Sequence, residues 1–89
     1  MTQNKRYVFM LQNKCKDIPR EELQSMADQI DPDIGTMLLY SFMNQASFEV
    51  VEKHAATNGE VVPVSRRNFY RKRRRYIQDI EQRLALSRG

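Results

Sequence analysis

The sequence predicts an all-α chain, a small bundle of four to five helices ending in a long basic helix. Three observations carry that prediction. Apolar residues recur with helical period over residues 23–30, 34–43, 48–55 and 69–84. Pro19, Pro32, Asn58-Gly59 and Ser65 stand where those stretches should start or stop. A chain of 89 residues holds one small domain, 1–89, because two cores would each be too small to fold unaided.

The N-terminal run Tyr7 to Leu11 fits a helix or a short strand, and the spacing of Val8, Leu11 and Cys15 favours the helix. After Pro19, the residues Leu23, Met26, Ala27 and Ile30 step i, i+3, i+4, i+7 and form one helical stripe. Asp31 is suited to N-cap the next helix, with Pro32 at its first position. That helix carries Ile34, Met37, Leu38, Leu39, Tyr40, Phe42 and Met43 around more than one face, which predicts the most buried helix. Ser41, among them, reads as a hydroxyl bonding backbone rather than a nucleophile. The methionines fall mostly in these apolar stripes and read as packing residues. A further helix from about Ser47 places Phe48, Val51 and Ala55 on one face and stops at Asn58-Gly59. Residues 60–64 are extended by composition, and Ser65 caps a last helix running to about Leu86.

Charge is distributed in blocks. Residues 1–16 carry +4, residues 17–60 carry −7 and residues 61–89 carry +7. Arg66 to Arg75 holds seven bases in ten residues, six of them Arg, and no acid. Projected at about 100° per residue, Phe69, Tyr70, Tyr76, Ile77, Ile80 and Leu84 share one face of the last helix. Arg67, Arg71, Lys72, Arg74, Arg75, Asn68 and Gln78 share the other, and Arg73 alone projects into the apolar arc. A helix kept soluble by its surface would interleave Glu with Lys or Arg, so this face predicts a polyanion partner. Arg offers a planar fork for phosphate or for the O6/N7 edge of guanine, and an α-helix fits the major groove of DNA. The expected DNA-binding residues are Ser65, Arg66, Arg67, Asn68, Arg71, Lys72, Arg74 and Arg75. Among them Asn68 is suited to adenine and Arg67 or Arg71 to guanine, while Arg74 and Arg75 would follow the phosphates.

The stretch from Val64 through Ser65, Arg66, Arg67, Asn68, Phe69, Tyr70 and Arg71 to Arg75 resembles the recognition helix of bacterial and phage helix-turn-helix regulators. Small phage-type transcriptional activators with sigma-factor-like C-terminal regions are the most similar, over roughly residues 47–80. The resemblance implies a helix-turn-helix-like C-terminal part, a role in transcription regulation, and DNA contacts from Ser65, Arg66, Arg67, Asn68, Arg71 and Arg74. Residues 58–64 give a seven-residue connection, where a tight helix-turn-helix uses three or four, which predicts a looser arrangement of the two helices. Tyr70, Arg73, Ile77, Ile80 and Leu84 step 3, 4, 3, 4, a seam that serves the core or a homodimer through the last helix.

Other functions find little support. His54 has no Cys or Ser at matching helical spacing, and Cys15 has no partner base, so an enzyme is not expected. The three glycines are scattered and form no phosphate-cradling loop, and one Cys with one His builds no metal site. The expectation is a cytoplasmic protein with no cofactor, metal or membrane span. Its partner is duplex DNA, with RNA or an acidic protein surface, for an adaptor or inhibitor, as the alternatives.

Overall fold

The computed structural model describes residues 5–87, with the backbone alone for residues 5–9 and 87. The sequence readings on residues 1–4, and on the side chains of Tyr7, Val8 and Phe9, lie outside the described residues. The chain forms α1 (Lys5–Lys14), a 3-10 turn (Cys15–Asp17), α2 (Arg20–Ile30), α3 (Gly35–Asn44), α4 (Phe48–Thr57) and α5 (Arg66–Ser87). No strand occurs among the described residues, so the all-α prediction holds and the N-terminal run is helical. No helix among them is long and apolar enough to cross a membrane.

Helix α3 is the hub, touching each of the other four helices. Its Leu38, Leu39 and Phe42 are buried, as its apolar surface on several faces predicts. From α5, Phe69, Tyr76, Ile77 and Ile80 are fully buried in the same core. Leu11, Leu23, Ala27, Phe48 and Val51 join it from α1, α2 and α4, and Cys15, Ile18, Ile34 and Ala46 from the segments between helices. The seam of α5 is thereby covered by the chain's own helices: Ile77 and Ile80 are fully buried, and Tyr70 and Leu84 pack against the core.

Two sequence readings need correction. Asp31 does not cap α3, and Pro32 is not its first residue. The Asp31 N–H bonds the Ala27 carbonyl at 3.2 Å, closing α2, and its Oδ1 accepts from the Asp33 N–H at 3.0 Å. That local turn delays α3 to Gly35, where the chain presses against α2. A Cβ on residue 35 would lie 3.2 Å from the Asp28 Cα and clash with the Asp28 carboxylate, so only glycine fits unshifted. Among the described residues the packing reading of the methionines holds for Met26 and Met37, which pack against the core, and not for Met10 and Met43, which are about half exposed.

The boundary between α3 and α4, which has no breaker in its sequence, is a left-handed Gln45 at φ 51°. The buried Ser41 hydroxyl donates to the Ala46 carbonyl at 2.7 Å and holds this corner. Helix α4 then starts where expected, and Ser47 is its cap, the hydroxyl accepting from the Val50 N–H at 3.3 Å. At the other end, Gly59 takes φ 73°, and the N–H groups of Gly59 and Glu60 return to the Ala56 and Ala55 carbonyls. This is a Schellman closure, which turns the chain into the extended segment leading to α5.

Candidate nucleic-acid interface

Helix α5 starts as its sequence predicts. The Ser65 hydroxyl accepts from the Asn68 N–H at 3.2 Å, and the Ser65 carbonyl from the Phe69 N–H at 2.8 Å. The first turns are fastened to α4 by three contacts. The Tyr70 hydroxyl accepts from the Phe48 N–H at 2.8 Å, so a side chain of α5 satisfies an otherwise orphan donor of α4. The rings of Phe48 and Phe69 meet edge to face at 5.5 Å. Arg66 lies over the Tyr70 ring at 5.9 Å and reaches Glu49 at 3.5 Å.

With one face so anchored, the opposite face is exposed. Arg67, Asn68, Arg71, Arg74, Arg75, Gln78 and Gln82 are all exposed and run along it. The expected site residues nevertheless differ in what they are free to do. Arg67 and Arg71 make no side-chain ion pair or hydrogen bond among the described residues. Arg75 pairs with Asp79 one turn on, at 3.2 Å. Lys72 lies at the flank, half-buried, and its Nζ is 3.0 Å from Asp31. That ion pair and the bond from the Asp33 N–H hold the Asp31 carboxyl below the usual carboxylate range. Lys72 therefore ties α5 to the α2–α3 turn.

Arg73 projects into the apolar arc and finds a polar partner there. Its Nε donates to the Ser41 hydroxyl at 3.0 Å, so one hydroxyl links α5 to the α3–α4 corner. Burial pushes the Arg73 pKa down from its usual value, and the side chain is part of the scaffold rather than of the basic face. At the far end Arg83 pairs with Glu22 of α2 through two nitrogens.

The remaining reactive side chains lie elsewhere. Cys15 is buried, and burial pushes its thiol up to about 11, which keeps it protonated at neutral pH. His54 is exposed and stacks on Tyr40, the rings 4.0 Å apart and 11° from parallel. This pair borders a cleft of about 430 Å³ between α2, α3 and α4, to which α5 contributes no residue.

Sequence reasoning located the basic face but missed the acids that border it. Asp79 was readable, since Arg75 and Asp79 are four apart on one helix. Glu49 and Asp31 reach α5 only through the tertiary fold, and no local spacing announces them. No protein-family model, curated protein or solved structure matches the chain.

Proposed function

We propose that this chain is a sequence-specific DNA-binding protein that lays the first turns of α5 into a major groove, and that it acts as a transcriptional regulator. The observation that carries the reading is the face of α5 turned away from the core. Over its first ten residues that face holds Arg67, Asn68, Arg71, Arg74 and Arg75, all exposed, with no acid among them. A helix whose opposite side is fixed by buried Phe69, Tyr76 and Ile77 presents such a face as a rigid ridge. Early on the ridge, Asn68 and Arg71 have side chains suited to adenine and guanine edges, with Arg67 beside them. The eight residues between α4 and α5, 58–65, and the Tyr70–Phe48 bond support a loose relative of the helix-turn-helix rather than its tight form.

The test is selection from a random duplex library, followed by salt titration of binding, with hairpin RNA as competitor. Contacts from Arg67 and Arg71, with or without Arg74 and Arg75, correspond to about two to four phosphates and a log–log salt slope of about −1.8 to −3.6. Asn68→Ala or Arg71→Ala should cost about 1–3 kcal/mol on the selected site and little on random duplex. An unenriched library with salt-sensitive binding would reduce the protein to a non-specific clamp. Preferred capture by the hairpin would make it an RNA binder, and a slope near zero would point to an acidic protein partner.

A further inference from the structure

The two arginines at the ends of the basic run, Arg66 and Arg75, are each held by an acid of the chain itself. Arg66 Nε lies 3.5 Å from Glu49, with side chains 67% and 53% exposed. Arg75 Nε lies 3.2 Å from Asp79, with side chains 69% and 31% exposed. The pair at Lys72 is different in kind. Its side chains are only 32% and 16% exposed, and it is tighter, at 3.0 Å. Water-exposed ion pairs are worth little, about 0.2–1 kcal/mol, so a phosphate can replace Glu49 or Asp79 at small cost. A closer and less exposed pair such as Lys72–Asp31 is not given up so readily.

From this difference, and resting on the nucleic-acid reading above, we infer that Glu49 and Asp79 are specificity-determining residues. They occupy Arg66 and Arg75 in the free protein and hold these two charges back from non-specific phosphates. Indiscriminate binding of duplex is driven by counterion release, which counts every cation able to reach a phosphate. Occupying two of them lowers that term while leaving the ridge of Arg67, Asn68 and Arg71 open to base edges. On a well-fitted site the DNA backbone is brought to the ends of the run, and Arg66 and Arg75 can exchange a carboxylate for a phosphate. The acids thus widen the ratio between specific and random duplex, the quantity that matters when non-specific sites are in large excess.

The experiment measures binding of a labelled duplex of random sequence by the full chain, between about 50 and about 200 mM salt. Variants are Glu49→Gln, Asp79→Asn and, as control, Glu21→Gln. Glu21 is an exposed acid at the start of α2, beside the Glu22 that pairs with Arg83. Arg83 lies roughly 25 Å along α5 from Arg66 and roughly 12 Å from Arg75 at 1.5 Å per residue, against a screening length of ~10 Å. Glu49→Gln and Asp79→Asn should each tighten random-duplex binding about two- to fivefold and steepen the slope by about 0.9. The control should change neither. Circular dichroism melts confirm that each variant is folded.

If Glu49→Gln and Asp79→Asn bind as the wild type does, or more weakly, the acids restrain nothing and the inference fails. Equal tightening by Glu21→Gln also overturns it, because net charge alone would then explain the effect. A wild-type chain that binds no duplex under any condition removes the nucleic-acid reading itself, a different failure from either of these.

Discussion

Two tyrosines of α5 make one hydrogen bond each to other helices, and the shallower one should matter more. Tyr76 is fully buried, and its hydroxyl donates to the Leu23 carbonyl of α2 at 2.9 Å. Tyr70 is only half-buried, and its hydroxyl accepts from the Phe48 N–H at 2.8 Å. Depth alone ranks Tyr76 first. The partners reverse the order. Leu23 sits inside α2, where its carbonyl also serves the helix's own i to i+4 ladder, so removing the tyrosine hydroxyl leaves it bonded. Phe48 is the first residue of α4, and its N–H has no partner within the helix. Ser47 already spends its hydroxyl on Val50 and its carbonyl on Val51.

Losing one bond whose partner stays satisfied costs about 0.5–1.5 kcal/mol, whereas leaving a buried donor unpaired costs about 1–3 kcal/mol. Tyr70→Phe should therefore destabilise by about 2 kcal/mol and Tyr76→Phe by about 1 kcal/mol. For a chain of this size each kcal/mol lowers Tm by about 4–8 °C. Urea and thermal unfolding followed by circular dichroism give the order directly. Amide exchange supplies the local readout: the Phe48 N–H should lose protection in Tyr70→Phe and keep it in Tyr76→Phe. A larger loss for Tyr76→Phe, or an unchanged Phe48 amide in Tyr70→Phe, would refute the reasoning.

Two further outcomes follow from charges. Cys15 should resist a thiol reagent at neutral pH until the chain unfolds, and its raised pKa fixes a sign. The folded thiol titrates at about 11 and the unfolded one at 9.0, so its stabilising effect is complete below 9.0 and is lost as pH rises toward 11. Cys15→Ala should flatten that alkaline decline in stability measured by urea unfolding. Lys72→Ala should cost stability, roughly 1.5–3 kcal/mol for a charge-assisted bond at a half-buried joint, and leave the salt slope of duplex binding unchanged, because its ammonium is committed to Asp31. A slope shallower by about 0.9 would instead return Lys72 to the binding face.

The fold was legible because its signals are local. The stripe from Leu23 to Ile30, the several apolar faces of α3, the Ser47 and Ser65 caps and the Gly59 stop all act within a turn or two of chain. What misled was competition between equally local devices. Asp31 and Pro32 read as a helix start, yet the Asp31 carboxylate bonds the Asp33 N–H, and the packing of Gly35 on Asp28 decides where α3 begins. The corner at Gln45 has no breaker residue at all. It is set by Ser41, which bonds both Ala46 and Arg73, a residue thirty-two positions away.

The candidate site divides along the same line. Periodicity separates the two faces of α5 correctly, since facing is a property of the helix alone. How strongly each cation is held is a property of its neighbours. Arg66 and Lys72 belong to the same run of bases, but Glu49 holds one loosely in water and Asp31 holds the other at a half-buried joint. A count of bases in the sequence therefore overstates the charge available to a polyanion. It treats as equal a ridge residue with no partner among the described residues, Arg71, an end residue with an exchangeable one, Arg66, and a strut, Lys72. Their ranking requires the three-dimensional positions of Asp31, Glu49 and Asp79. Of these only Asp79, four residues from Arg75 on the same helix, could have been placed beforehand.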